Sequence, residues 1–395
     1  MPPSGWSFGP QFDLNELMRM LQAPGPVNWE VARRVASEMS TGDDDAAERS
    51  VDPPMRETIV DIARAAQTHI AGATGLSNAL GVPVDVVDRA EWAQRTLNGL
   101  EPVVVALAEA LSPAVQTEID EAPPPDFSGT PFAAFGPDIA SALAPMAIGW
   151  MAGSLAGLLS QFALGQYDLP LPLAGAPRLA FVASNIDAFG HDWSLPAADL
   201  HFALALREVV HGAQRSVPWV RERLVRHSTA YVGGYELRLD ALADQFESFA
   251  NIDISDPAAM EKLELPDPGA VLDTMQTPAQ QPILEELQRF AAVLEGYADT
   301  VVDAVGEPLI PSLTQIEEAL RRHRVDRGRA AAVVDRMLGL QVGRDHYEQG
   351  HAFCRGVVER AGLEGLDRLW ESEAMVPTPN ELDAPGLWLA RIDLA

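Results

Sequence analysis

The sequence predicts a mainly α protein with a small β-sheet, an α+β fold. Three observations predict it. Apolar residues recur at helical spacing over most of the chain, separated by polar and Pro/Gly punctuation. Only two short runs, on either side of Gly175, have the look of strands. A long charge-free stretch rich in Ala and Gly supplies a helix suited to a buried core.

Taken in order, Asp13 to Leu21 reads as a first helix, and Asn28 caps a second that runs to Met39. Ser40-Thr-Gly-Asp-Asp-Asp is an exposed loop, after which Pro53 or Pro54 opens a long helix to about Ala73. Val86 to Leu111 reads as one helix despite Gly99 and Pro102. Thr117 to Asp138, with Pro123-Pro124-Pro125, is the expected linker. It divides an N-terminal helical region, 1–125, from a second region, 126–395, that holds a helix near 195–214 and the C-terminal helices.

Ile139 to Tyr167 carries no charge, and Gly149, Gly153 and Gly157 repeat at four-residue spacing. That length could span a bilayer, but Pro145, Ser154, Ser160, Gln161 and the acidic flanks Asp138 and Asp168 favour a close-packed core helix. Asp168-Leu-Pro-Leu-Pro-Leu and Arg178-Leu-Ala-Phe-Val-Ala are the two expected strands. Ser194 is expected to cap the next helix, with a second helix from Trp219 to about Phe249. Helices then follow at 283–305, 312–322, 330–340, 343–361 and 366–371.

Composition removes several functions. Fifty-seven acidic against 28 basic residues leave a net charge of −29. Such a chain repels nucleic-acid phosphates and an anionic membrane surface. Lys262 is the single lysine, so no phosphate-binding loop with its lysine can be written, and Schiff-base chemistry has one poor candidate. One cysteine, Cys354, excludes an intramolecular disulfide and any multi-cysteine metal site. MPPSGWSFGP has neither the basic region nor the apolar core of a secretory signal, so a cytoplasmic protein is expected.

The chemistry-bearing pattern is Arg207-Glu208-Val209-Val210-His211. In an H-E-x-x-H helix two histidines one turn apart share a zinc ion, and the glutamate activates the metal-bound water. Here Glu208 and His211 hold their places, but arginine stands at 207, and a guanidinium has no lone pair to give a metal. Further on, Glu295, Asp299 and Asp303 fall at i, i+4 and i+8, a column of carboxylates that needs a cation or water beside it. In a chain this acidic the column reads either as a solvated acidic face or as a set of which one carboxylate, Glu295 by preference, faces the motif helix.

These residues sit among others that together resemble a family. Thr74-Gly75-Leu76, Val86-Val87-Asp88-Arg89-Ala90-Glu91-Trp92, Leu164-Gly165-Gln166-Tyr167-Asp168, Val182-Ala183-Ser184-Asn185-Ile186 and Val217-Pro218-Trp219 belong to the pattern. So do Glu295-Gly296-Tyr297-Ala298-Asp299, Tyr347 to Phe353 and Pro377 to Glu381. In this order they resemble the zincin-like metallopeptidases, a family of uncharacterised bacterial proteins labelled hydrolases or associated with deazaflavin-cofactor biosynthesis. The resemblance runs from about Asn28 to Trp388. It implies a helical body with a small sheet beside the motif helix, and zinc as the cofactor. It also implies His211 and Glu295 as metal ligands and Glu208 as the base. Arg207 stands where the family has its first histidine.

Three readings follow. In one, Arg207 replaces the metal cation electrostatically, and the protein is a binding or scaffold module for a peptide or protein. In another, a hydrolase survives with a rearranged site that recruits His201, His191, His227 or His351. In the third, the Gly149/Gly153/Gly157 face joins a membrane or a second chain. His69, His323 and His346 read as surface or packing residues, and Arg321-Arg322-His323-Arg324 is too short a basic run for nucleic acid.

Overall fold

A computed structural model describes residues 25–41, 53–121, 139–236, 268–325 and 328–394. The order of elements is α1 (Trp29–Ser40), α2 (Pro53–Ala73), β1 (Val84–Val87), α3 (Arg89–Gly99), α4 (Glu101–Glu121), α5 (Ile139–Ser160), β2 (Leu179–Val182), α6 (Ala183–Asp192), α7 (Ala197–Ser216) and α8 (Pro218–Val232). There follow α9 (Pro268–Met275), α10 (Gln280–Gly306), α11 (Leu313–Val325), α12 (Gly328–Met337), α13 (Arg344–Asp367), α14 (Pro379–Asp383) and α15 (Pro385–Leu394). The chain is mainly helical with one small sheet, as the apolar spacing requires. The expected helix at Asp13–Leu21 lies outside the described residues, as do the loop after Thr41, most of the expected linker and the C-terminal part of the helix expected from Trp219.

The sheet differs from the expectation in its partner strand. β2 is one of the two expected runs, but 168–173 is not a strand: Pro170 and Pro172 have no N–H to give, and Leu171 and Leu173 each turn back to bond the carbonyl two residues earlier. β1 takes its place, parallel to β2 with Val84 opposite Leu179 and Val87 opposite Val182. Val86 and Val87 therefore belong to a strand. The helix expected from Val86 to Leu111 starts at Arg89, where the Asp88 side chain accepts from the N–H of Glu91 at 2.7 Å, and it breaks at Leu100 between α3 and α4. On the far edge of β2 the segment 164–166 runs antiparallel, through Gln166 N–H to Ala180 O and Val182 N–H to Leu164 O, each 3.0 Å. Strand pairing and the packing of α2 on α7 both join residues before 125 to residues after it.

Ser194 ends α6 instead of capping α7. It adopts a left-handed φ of 51°, and Leu195 N–H reaches back to Gly190 O at 2.9 Å, the arrangement that closes a helix C-terminus. Asn28 does cap α1, accepting from Val31 N–H at 3.1 Å. Asn185 donates to Ser160 O (2.9 Å) and Ala163 O (2.7 Å), covering carbonyls left open where α5 ends.

The charge-free stretch forms α5 only as far as Ser160, and its glycine stripe faces inward. A Cβ on Gly149 or Gly153 would strike the backbone carbonyls of Asn28 and Ala32, and one on Gly157 would lie 2.5 Å from Met39 Cβ. The stripe is thus the seat of α1. No described helix is long and apolar enough to cross a membrane. α10 and α13 use the same device, with Gly296 against the backbone of Gly350. Apolar residues of α2, α7, α10, α11 and α13 form one core around α7, while α1, α3, α4 and α5 with β2 build a second.

Gly153→Val should destabilise the fold by about 1–3 kcal/mol or more, because the added methyls meet backbone, which cannot rotate away. Urea unfolding read by far-UV circular dichroism measures it, and a loss below about 0.5 kcal/mol would contradict this packing.

Candidate functional site

α7 is buried over its whole C-terminal half. Arg207, Glu208, His211, Gln214 and Arg215 are all under 10% exposed. Apolar Leu204, Leu206, Val209, Val210 and Ala213 surround them, so five polar side chains are carried into the core on one helix. α10 packs beside it and presents Glu295, 1% exposed. The structure places Glu295 against the motif helix, beside Arg207 and His211.

Arg207 joins the two helices. Its guanidinium bonds Glu295 Oε2, and its second terminal nitrogen donates to Asp299 Oδ1 at 2.5 Å. Burial opposes the charge, but the carboxylates of Glu295 and Asp299 outweigh it, and the pKa of Arg207 moves up. His211 Nε2 lies 3.6 Å from the other oxygen of Glu295. Glu295 therefore faces both residues of the motif one turn apart, with one oxygen for each.

The tautomer of His211 follows from Gln214, three residues on. Gln214 Nε2 donates to Leu294 O at 2.9 Å, which turns its Oε1 toward His211 Nδ1 at 3.0 Å. Nδ1–H donates to that oxygen, and Nε2 faces Glu295. Arg215 comes within 3.4 Å of the same Nδ1, but the shorter contact to Gln214 decides. Its guanidinium instead stacks 4.8 Å over the ring of Tyr167, and burial pushes its pKa down.

Glu208 turns to the sheet side. Its Oε1 accepts from the backbone N–H of Gln166 (2.6 Å) and Tyr167 (3.0 Å), and Oε2 is also 3.0 Å from the latter. A Cβ on Gly165 would sit 2.7 Å from this carboxyl, so glycine is what lets the segment approach. Burial pushes Glu208 up to about 8, the two backbone N–H groups pull it down, and the nearby Asp168 raises it further. Tyr167 is pushed up to about 12, first by burial. The backbone of Gln166 and Tyr167 thus serves as the anchor for Glu208.

The four histidines considered as substitute ligands have these surroundings. His201 is beside Asp187, His191 is exposed, His227 is flanked by Arg223 and Arg226, and His351 faces Asp303 at 4.0 Å. Asp299 as a partner of Arg207, Gln214 as a partner of His211 and Arg215 as a partner of Tyr167 were missed in the sequence. Their signal was there: Gln214 and Arg215 sit at i+3 and i+4 from His211, on its own face.

A matching sequence profile decides the family: that of the zincin-like metallopeptidases covers residues 27–389. The chain belongs to this family. A solved structure from Chloroflexus aurantiacus, provisionally assigned as a hydrolase with a novel fold, is similar over 93% of this chain and 99% of its own. The TM-score is 0.59 and the identity 25%. Among curated proteins none matches this sequence.

Family members imply zinc, and the residues here fit it only in part. His211 Nε2 and Glu295 Oε1, 3.6 Å apart, are two atoms of the donor types that zinc takes. The third position is a guanidinium, already bonded to Glu295 and Asp299, which brings a positive charge and no lone pair. Among the described residues no three His, Cys, Asp or Glu side chains are grouped to hold a metal ion. The donor set does not make a three-ligand zinc site.

Two outcomes test this geometry. Arg207→Met strands a buried carboxylate and should cost about 3–5 kcal/mol, much of it recovered when Glu295→Gln is added; urea denaturation of the single and double variants checks it. Glu208, raised from 4.5 to about 8, holds its proton more tightly folded than unfolded. Stability should therefore be full below about pH 4.5 and fall as pH rises through about 8, by up to about 1.4 kcal/mol per pH unit. Glu208→Gln keeps the acceptor and should flatten that part of the thermal-stability profile.

Proposed function

We propose that this protein is a non-peptidase member of its family, a binding or scaffold protein in which Arg207 has taken the place of the catalytic metal. The observation that carries the reading is the Arg207 guanidinium bonded to Glu295 and Asp299 beside His211. A guanidinium neutralises the carboxylates that a metal would otherwise neutralise. It cannot act as a Lewis acid on a carbonyl, and it cannot bring a bound water to a pKa near 7. Glu208 supports the same conclusion, since it is spent on two backbone N–H groups.

The partner class we assign is a peptide or protein. A net charge of −29 disfavours nucleic acid and anionic lipid, and the family's hydrolase members act on such chains by name. The expected compartment is the cytoplasm.

Purified protein analysed by inductively coupled plasma mass spectrometry should carry far less than one zinc per chain, and chelator treatment should leave its Tm unchanged. Arg207→His should gain about one zinc per chain, because it adds a second imidazole one turn from His211 and beside Glu295, and His211→Ala should abolish that gain. Stoichiometric zinc in the unaltered chain, lost on His211→Ala, would overturn the proposal.

A further inference from the structure

Two arginines are buried among the described residues, Arg207 and Arg215, and their surroundings differ. Arg207 has the carboxylates of Glu295 and Asp299. Arg215, 3% exposed near the end of α7, has no carboxylate within 4.0 Å among the described residues. The ring of Tyr167 covers one face of its guanidinium, and Nη1 lies 3.4 Å from His211 Nδ1. Nε and Nη2 are enclosed and meet no acceptor.

The nearby acids are committed elsewhere. Glu295 Oε2 bonds Arg207, and Glu208 Oε1 takes the backbone N–H groups of Gln166 and Tyr167. Burial outweighs the fields of Tyr167, Glu295 and Glu208 at Arg215 and pushes its pKa down. Arg221, whose Nη1 donates to Arg215 O at 3.1 Å, adds a second positive charge beside it. A buried cation without a counter-charge is strongly unfavourable, so the site calls for an anion.

The two open nitrogens decide which anion fits. Nε–H and Nη2–H point the same way along one edge of the planar guanidinium, the edge that receives both oxygens of a carboxylate in parallel bonds. We propose that Arg215 is the centre of an anion site that takes a planar monocarboxylate side-on through Nε and Nη2, next to Tyr167. One negative charge matches one guanidinium, whereas a phosphate dianion would again bury a charge unpaired. The same chemistry is offered by a free small acid and by the C-terminus of a peptide. The site does not rest on what neutralises Glu295, so it stands or falls separately from the proposed function.

Isothermal titration calorimetry on the full chain, in Tris sulfate with sodium acetate balanced against sodium sulfate, should show one acetate site per chain. At about a hundredfold excess over its Kd, acetate should raise Tm by about 3 °C. Arg215→Lys keeps a charge but loses the two-pronged edge, and should weaken acetate binding about tenfold. Arg215→Met removes the unpaired charge, so it should fold, as far-UV circular dichroism checks, and bind no acetate. A tripeptide with a free C-terminus that displaces acetate, where its C-terminal amide does not, would make a peptide the source; acetate bound and displaced by neither would make it a free acid. No heat and no rise in Tm with acetate or the tripeptide, or an equal rise in Arg215→Met, would overturn the site.

Discussion

The ion pairing of Arg207 with Glu295 and Asp299 is the constraint on which the centre of this molecule depends. It crosses from α7 to α10 in a setting where Arg207 is 6% and Glu295 1% exposed. Desolvating either charge alone would cost several kcal/mol, so neither helix could bury its polar face without the other. The apolar residues that line both helices then close around a pair that is already neutralised. Gln214 and Arg215 extend the same logic along α7, satisfying His211 and capping Tyr167 by stacking.

A metal would have imposed a different order on these groups. Zinc gathers three donors and leaves a fourth position open to water, which requires a pocket. Arg207 instead reaches both carboxylates with its own donors, and the seam can close. Glu208 follows suit: it faces the backbone of 165–167, and Gly165 leaves it room. The zincin-like frame is kept, including the sheet segment beside the motif helix, and Arg207 lies between the carboxylates of Glu295 and Asp299.

Close backbone approach organises the rest. α1 lies on the glycine stripe of α5, and α10 meets α13 at Gly296 and Gly350. These contacts bring Tyr297, Glu295 and the 345–353 segment into one body. Several residues that resemble the family, including Asn185 and Tyr167, prove to be hydrogen-bonding supports for that body.

Much was legible from the sequence because helical spacing is local. The E-x-x-H turn on α7, the carboxylate column on α10, the Asn28 cap and the inward face of Gly149, Gly153 and Gly157 all follow from residues a few positions apart. The impossibility of metal ligation by arginine is likewise a property of one side chain. What only the tertiary structure decided were the pairings across long separations. Val84–Val87 became the strand beside β2 because its partner lies about 95 residues on, and no local pattern in a four-residue run reports that. Asp299 joined Arg207 because α10 crosses α7 at one register, which fixes how far each carboxylate of the column stands from the guanidinium. Long-range distance sets electrostatic partners, and a sequence carries only the local part of it.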